Sequence, residues 1–174
     1  IIECLKESGI YENTTLILLG DHSAIDTHKV IRLNSIFREE GLIELKDGKL
    51  KSFKAIAREC GGSCYIYLDN KNKKYENKCL EVLERLKEEG ALEYILNKEE
   101  AIKAGANDQC DFMVEATRGY YFSNEYEGKV IEETKEIKNK HTYKAVHGYS
   151  PRKKDYGTFF LAFGRGIKSG VVLE

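Results

Sequence analysis

Two apolar runs near the ends of the chain have the pattern of buried strands. The run "TTLILLG" at residues 14–20 is continuous and has β-branched members, which is typical of a strand covered on both faces, as in a parallel sheet. The run "TFFLAFG" at residues 158–164 is similar in character. Between them lies a long stretch of mixed helical and strand pattern. The pattern predicts an α/β fold in which a larger sheet carries a smaller inserted α+β lobe.

Shorter strands and helices are predicted between these two runs. "KVIRLN" predicts a strand, after which Asn34 has the sequence context of a helix N-cap. Asp47-Gly48 predicts the tight turn of a hairpin, a turn that needs positive φ. One amphipathic helix ending at Gly90 is predicted from apolar residues at helical spacing, namely Tyr75, Cys79, Val82, Leu83 and Leu86.

The composition excludes several classes of protein. The 174 residues carry a net charge of -1 and are 41% apolar, which suits a globular protein with one core of ordinary size. Acidic and basic residues nearly balance, so neither nucleic acid nor an anionic membrane surface is indicated as a partner. No apolar run approaches the roughly 18 residues that a membrane-spanning helix needs.

Five cysteines at irregular spacing argue against a disulfide framework. Cys60 and Cys64 lie close together in "CGGSC", but no second Cys/His pair follows at the spacing of a zinc knuckle. We therefore expect structural or incidental thiols. Unpaired thiols favour a cytoplasmic location.

The first residues, "IIECLKESGI", have helical spacing and read as the middle of a domain. With no initiator methionine, we expect the chain to be a fragment. A missing N-terminus would leave the compartment open.

Asp21 and His22 follow the first apolar run directly. Ligands of α/β sheets bind beyond the carboxyl ends of the strands, and a carboxylate and an imidazole are ordinary ligands of Zn²⁺. Taken alone, however, such a dipeptide is more often a helix cap beside a surface histidine. His147 precedes the last apolar run, so its loop and the Asp21-His22 loop could open on the same edge of one sheet.

Two segments resemble one known family. "NTTLILLGDHS" is similar to the strand and Asp-His-Gly motif of the alkaline phosphatase superfamily. "HGYSPRKKDYGTFFLAFGRGIKSG" resembles the His-Gly-Tyr segment and closing strand of its type I phosphodiesterase/nucleotide pyrophosphatase branch. The segments between them resemble the inserted lobe of bacterial members. The resemblance covers nearly the whole chain and implies the C-terminal part of an alkaline-phosphatase-like α/β/α sandwich.

The resemblance also implies three parts. Residues 1–29 would form a catalytic-core segment with the Asp-His motif. Residues 30–115 would form the inserted α+β lobe, and residues 116–174 would return to the core with the His-Gly-Tyr motif.

A site with two zinc ions is implied as well. Asp21 and His22 would bind one ion, and His147 would bind the second. Two such ions, about 4 Å apart, stabilise the attacking and leaving oxygens of an in-line displacement at phosphorus. A threonine or serine nucleophile would form a covalent phospho-enzyme that water then hydrolyses.

The chain departs from the family pattern in two respects. The nucleophile, a neighbouring aspartate and an Asp-x-x-x-His ligand pair normally precede the Asp-His motif, and the twenty residues before Asp21 contain no such pattern. We therefore expect the nucleophile upstream of residue 1 and an inactive fragment. Ser23 also replaces the usual glycine, which could alter the loop geometry.

The implied function is hydrolysis of phosphodiester or pyrophosphate bonds in a small phosphorylated or nucleotide substrate. A phosphonate hydrolase, a phosphomonoesterase or a phosphomutase of the same superfamily is an alternative, as is a non-catalytic binding module. Because a sheet cut through its middle exposes strand edges and an apolar face, we also expect self-association.

Four further features have simpler interpretations. His28 and His141 match no ligand position and are expected on the surface or in a loop. The basic cluster "PRKKD" could steer an anionic phosphate, but a solvated turn is the commoner reading. Tyr120 and Tyr121 could stack on a base, but packing in a strand is commoner.

Overall fold

The structure, a computed structural model, describes residues 1–69, 73–138 and 142–172. Its α-helices are α1 Ile2–Glu7, α2 Leu33–Glu39, α3 Lys73–Glu88 and α4 Lys98–Lys103. Its strands are β1 Thr15–Leu19, β2 Ile25–Asp26, β3 Lys29–Ile31, β4 Ile43–Lys46, β5 Lys49–Phe53, β6 Ala55–Cys60, β7 Ser63–Leu68, β8 Leu92–Asn97, β9 Phe112–Ala116, β10 Tyr120–Phe122, β11 Ile131–Glu133, β12 Ala145–Val146 and β13 Phe160–Gly164. Short 3-10 turns span Tyr11–Asn13 and Thr134–Glu136.

By their internal contacts the residues form two compact units. The terminal unit comprises Ile1–Ser23 and Lys154–Glu174, and the central unit comprises Ala24–Lys153. These units are defined by contacts within the chain, and they do not test where an inserted lobe begins or ends. The predicted boundaries at residues 29/30 and 115/116 therefore stay a prediction.

The terminal unit contains one antiparallel pair of strands. β1 pairs with β13, so that Thr15 lies opposite Gly164 and Leu19 opposite Phe160. The two apolar runs therefore share a sheet, as predicted. The prediction of a parallel strand covered on both faces is wrong for β1, whose side chains are mostly exposed. A continuous apolar run specifies neither the direction of the partner strand nor what covers its faces.

The central unit is built around a four-stranded antiparallel sheet in the order β6-β7-β9-β8. Helix α3 packs against β8 and β6 and buries the predicted stripe of Cys79, Val82, Leu83 and Leu86. Gly90 follows the end of this helix and has a φ of 76°, the left-handed conformation that commonly terminates a helix. The amphipathic pattern thus located the longest helix correctly.

Smaller sheets surround this core. β3 lies between the parallel strand β10 and the antiparallel strand β11, and β12 pairs with β2. β4 and β5 form the predicted hairpin, with Asp47 and Gly48 at φ values of 52° and 71°. The turn residues were therefore a reliable signal.

Asn34 is a core residue and not a helix cap. Helix α2 begins at Leu33, two residues earlier than a cap at Asn34 would require. The fully buried Asn34 amide accepts a hydrogen bond from the Ala57 N–H at 2.8 Å and donates to the Ala57 carbonyl at 3.0 Å. It also contacts the Asn124 carbonyl at 3.3 Å. Because one amide side chain can donate and accept at once, Asn34 replaces a missing strand partner of β6.

Candidate metal centre

Asp21 and His22 lie together in the loop that follows β1. The His22 N–H donates a hydrogen bond to Asp21 Oδ1 at 3.0 Å. Nε2 of the His22 ring lies 3.4 Å from Asp21 Oδ2. The side chains are 87% exposed for Asp21 and 46% exposed for His22, so both donor atoms can reach a ligand. The carboxylate and the imidazole therefore converge on one point.

A second contact orients the His22 ring. Its Nδ1 lies 3.1 Å from the carbonyl oxygen of Ser23. Because a carbonyl can only accept, this contact favours the tautomer with the proton on Nδ1. Nε2 then keeps the lone pair that a metal ion needs. Metal-binding histidines commonly donate their other ring nitrogen to a carbonyl in this way.

The separation of the two donor atoms suits a tetrahedral zinc ion. Two ligands at the usual zinc distances of about 2.0 to 2.2 Å and tetrahedral angles lie roughly 3.4 Å apart. The observed distance between His22 Nε2 and Asp21 Oδ2 is 3.4 Å. Both the chemistry and the spacing of these two ligands therefore fit zinc. If both bound the same ion, they would fill two of the four positions of a tetrahedral site.

Ser23 causes no backbone strain in this loop. The residues other than glycine that have positive φ in the described part of the chain are Asp47 and Asp155. Ser23 is not one of them, so a serine fits its conformation as well as a glycine does. The replacement of the usual glycine therefore requires no left-handed backbone at Ser23.

His147 lies in the central unit, directly after β12. Its backbone carbonyl accepts a hydrogen bond from the Gly62 N–H at 2.8 Å, whereas its side chain is exposed. A cavity of about 320 Å³ opens beside it and is also lined by Glu59, Tyr121 and Tyr143. The backbone of His147 is thus held against the β6–β7 turn.

The two residues after His147 depend on close contacts with the same turn. Gly148 has a φ of 83°, and a Cβ atom there would lie 1.7 Å from the Cys60 carbonyl oxygen. The ring of Tyr149 lies so close to Gly62 that a Cβ at Gly62 would be 2.3 Å from it. The Tyr149 hydroxyl donates to the Tyr120 carbonyl at 2.5 Å. Glycines in both segments are therefore required for the His147 loop to dock.

A buried carboxylate holds the end of this loop. Glu115 of β9 is fully buried, and its Oε2 accepts hydrogen bonds from the Ser150 N–H at 2.7 Å and from the Tyr94 hydroxyl. Lys153 Nζ lies 2.8 Å from Glu115 Oε1. The Lys153 side chain is only 5% exposed and also pairs with Glu93. The interpretation of "PRKKD" as a solvated turn is therefore wrong for Lys153.

The sequence contained a partial signal for these residues. The cysteines of the "CGGSC" segment suggest metal chemistry, but it is the two glycines of this segment that contact the His147 loop. Glu115 and Lys153 gave no such signal, because a charged residue in a strand or a turn is normally exposed. Glu115 and Lys153 are identified only by their contacts in the folded structure.

Within the described residues, no cysteine belongs to a group of three or more potential metal ligands. Burial raises the pKa of the Cys79 thiol to about 12 and that of Cys64 well above its usual range. Both therefore stay protonated at neutral pH, whereas metal ligation requires the thiolate. Cys60 is exposed, with Cys64 buried on the neighbouring strand. The expectation of structural or incidental thiols stays a prediction.

The remaining candidates lie as follows. His28 is exposed, as expected, whereas His141 lies outside the described residues. Tyr121 is 4% exposed and Tyr120 is half-buried, so both side chains of this strand pack against neighbouring residues.

The structure brings two of the three predicted ligands together. Asp21 and His22 adjoin in the terminal unit, and His147 belongs to the central unit. Within residues 1–69, 73–138 and 142–172, no group of three or more His, Cys, Asp or Glu side chains is arranged to hold a metal ion. None of the helices in this part of the chain has the length and apolarity needed to span a membrane.

Comparison with known proteins gives the family. The model for type I phosphodiesterase/nucleotide pyrophosphatase matches residues 1–150. The chain belongs to this family. The matched range includes Asp21-His22 and the His-Gly-Tyr motif at residues 147–149, and it ends before the closing strand at residues 158–164. A search of curated protein sequences gives no significant match.

Solved structures of family members and related proteins share the fold. Human ectonucleotide pyrophosphatase/phosphodiesterase 5 is 16% identical, with a TM-score of 0.58 over 94% of this chain and 37% of its own. An inactive form of the murine protein in complex with AMP is 18% identical, with a TM-score of 0.59 and the same coverage. Phosphonoacetate hydrolase from Sinorhizobium meliloti, in complex with phosphonoformate, is 14% identical, with a TM-score of 0.55 over 91% of this chain and 38% of its own.

These similarities show that the chain shares the fold of these proteins, as predicted. The chain spans little more than a third of the length of these relatives. At such low identity the structural similarity concerns the fold alone.

Proposed function

We propose that the chain is part of a metal-dependent phosphodiesterase or nucleotide pyrophosphatase. The enzyme hydrolyses phosphodiester or pyrophosphate bonds in a small phosphorylated compound or nucleotide. One observation carries the proposal: the family match over residues 1–150 spans both motifs. The AMP complex of the murine relative supports a nucleotide as the substrate class.

The proposed cofactor is zinc, with two ions per enzyme. Asp21 and His22 bind one ion, and His147 binds the second. Support comes from the 3.4 Å separation of Asp21 Oδ2 and His22 Nε2 and from the Nδ1 contact of His22 with Ser23. When bound, the pair of ions stabilises charge on the attacking and leaving oxygens at phosphorus.

Within this proposal the chain provides ligands and their orientation, and it provides no nucleophile. The carbonyl of Ser23 accepts the Nδ1 proton of His22, so that the lone pair of Nε2 would be available to an ion. The Gly62 amide holds the backbone of His147. The remaining ligands and a threonine or serine nucleophile belong to other parts of a longer enzyme, in which a covalent phospho-enzyme forms. The isolated chain is therefore inactive in this proposal.

The experiment measures zinc content and hydrolysis of a chromogenic phosphodiester by the full-length protein and by its His147→Ala and His22→Ala variants. Each variant is expected to lose zinc and to lose activity by at least about a hundredfold, since a metal ligand is removed. His28→Ala is the matched control, because His28 is also exposed and lies in the central unit.

The contrary results are equally specific. Full activity and full zinc content in His147→Ala would contradict its assignment as a ligand. Zinc-dependent turnover by the isolated 174-residue chain would contradict the proposal that the chain lacks the nucleophile.

A second candidate function is hydrolysis of a phosphonate. The similarity to phosphonoacetate hydrolase in complex with phosphonoformate favours it, with a TM-score of 0.55. A phosphomonoesterase, a phosphomutase and a non-catalytic binding module are further alternatives. A panel of one diester, one pyrophosphate, one monoester and one phosphonate distinguishes the hydrolases. A binding module would bind these compounds without converting any of them.

A further inference from the structure

We propose that Glu115 and Lys153 are positioning residues for His147. The inference rests on the proposed function, because it takes His147 as a metal ligand. Both residues contact the loop that carries the His147 ring. Their role is to fix the backbone that carries it.

The first argument is that both ends of the loop are held by the core sheet. At its start, the Gly62 amide donates to the His147 carbonyl at 2.8 Å. At its end, the Ser150 amide donates to Glu115 Oε2 at 2.7 Å. A backbone amide donates along one direction, so a carboxylate fixed in β9 sets the orientation of the peptide that follows Tyr149.

The second argument concerns how Glu115 itself is fixed. Its carboxylate is fully buried and receives the Tyr94 hydroxyl in addition to the Ser150 amide. Lys153 Nζ lies 2.8 Å from its other oxygen. Two hydrogen bonds to Oε2 and an ion pair at Oε1 fix the carboxylate, although Oε1 itself accepts no hydrogen bond from the described residues. Charge-assisted hydrogen bonds are about twice as strong as neutral ones.

The third argument is that Lys153, at the end of the loop, contacts the same carboxylate. Its ammonium group lies 3.3 Å from the Ala116 carbonyl oxygen and 5.1 Å from the centre of the Tyr149 ring. The lysine therefore contacts β9 and the ring that sits on Gly62 at the same time. Residues 147–153 are thus attached to the core sheet at their beginning, middle and end.

An apolar pair of similar size could fill this space without a buried charge. Replacing a buried ion pair by apolar residues is often neutral or stabilising. The pair is therefore weak evidence for stability. Its directional contacts with a backbone amide are what an apolar pair cannot reproduce, and this points to a positioning role.

The first measurement is amide hydrogen exchange of the full-length protein. Glu115→Gln keeps the shape of the side chain and removes its charge, and Lys153→Met removes the other charge. Each variant is expected to speed exchange at the Ser150 and Gly62 amides by about tenfold relative to amides of α3, because a charge-assisted hydrogen bond is weakened. The double variant Glu115→Gln/Lys153→Met leaves no buried charge unpaired and is expected to recover most of the protection.

The control is Leu86→Ala, which removes a buried side chain of α3 away from the loop. It is expected to lower global stability without a selective change at Ser150 or Gly62. A variant that merely destabilises the fold would behave like this control. If Glu115→Gln and Leu86→Ala gave the same exchange pattern, the inference would be overturned.

The second measurement is zinc affinity of the same full-length variants. Glu115→Gln is expected to weaken zinc binding by about tenfold, in the range reported for residues that orient a metal ligand. The Leu86→Ala variant should bind zinc as the unaltered protein does. Selective loosening of the loop with unchanged zinc affinity would overturn the inference, provided that His147→Ala lowers the affinity. If His147→Ala leaves the affinity unchanged, the proposed function of His147 is wrong and the inference falls with it.

Discussion

The amide of Gly62 donates a hydrogen bond to the carbonyl oxygen of His147 at 2.8 Å. The two residues belong to segments that are far apart in the sequence. The contact joins the turn between β6 and β7 to the loop that carries the proposed zinc ligand. It shows why the glycines of "CGGSC" matter more than its thiols. The docking of the His147 loop can therefore be tested through glycine substitutions.

Substitution of Gly148 by alanine should be strongly destabilising. Gly148 has a φ of 83°, and the added Cβ would lie 1.7 Å from the Cys60 carbonyl oxygen. The left-handed conformation costs an alanine roughly 1 to 2 kcal/mol, and the overlap with backbone adds to this. We expect a loss of more than about 3 kcal/mol in the free energy of unfolding, measured with urea.

Gly48→Ala is the matched control for this prediction. Gly48 has a φ of 71°, but no atom lies within 4 Å of an added Cβ. Its substitution should therefore cost only the conformational part, about 1 kcal/mol. Equal losses for the two variants would show that the contact with Cys60 is unimportant.

The fold was predictable where one local rule decided the structure. Helical spacing located α3, and Asp47-Gly48 located the β4–β5 hairpin. The Asp21-His22 pair was recognisable because it follows an apolar strand directly. In each case the information lies within one short segment.

The prediction failed where a partner from another segment decided the structure. Asn34 has the local context of a cap, but its amide is used by Ala57 in the core. Lys153 lies in a basic cluster, but its ammonium group is buried in an ion pair with Glu115. Neither partner could be identified from the sequence, because pairing of distant residues follows from the packing of the sheet.

The five thiols should react at two very different rates. Cys4 and Cys60 are exposed, whereas Cys64, Cys79 and Cys110 are buried. Burial raises the pKa of all three buried thiols, so little thiolate is available for reaction. Titration with a thiol reagent under native conditions should label two cysteines rapidly, and the other three only after urea is added. Rapid labelling of Cys64 would contradict the packing of β7.

Stability should fall in alkaline solution, in part through Tyr94. Burial, together with the hydrogen bond to Glu115, raises the pKa of Tyr94 above its ordinary value of 10.0. The folded protein therefore keeps a proton that the unfolded chain loses. The stabilisation is complete below pH 10.0 and is lost as the pH rises above that value.

Tyr94→Phe tests this pH dependence. The variant should be less stable at neutral pH, because Glu115 loses a donor, and its stability should fall less steeply above pH 10. Urea unfolding at several alkaline pH values measures the slope. Tyr143→Phe, at an exposed position, serves as the control. If Tyr94→Phe and Tyr143→Phe kept the same slope, Tyr94 would not contribute to the alkaline loss.

The exposed ribbon of β1 and β13 should make the isolated chain associate with itself. Leu18 and Leu161 lie directly opposite each other in the antiparallel register, and both are about half exposed. Large apolar side chains remain exposed along both strands, and each strand has one unpaired edge within its two-stranded sheet. Such surfaces favour pairing with another copy. Light scattering should therefore show a mass that increases with concentration.

The double variant Leu18→Lys/Leu161→Glu should reduce this association. Opposite charges at facing positions keep a favourable cross-strand pair, so that the strands stay paired while their apolar surface shrinks. Ile102→Lys, at an exposed apolar position on α4 in the central unit, is the control and should leave the association unchanged. A wild-type chain that stays monomeric at every concentration would refute the prediction. Equal effects of the double variant and the control would assign the association to surface charge in general and not to the ribbon.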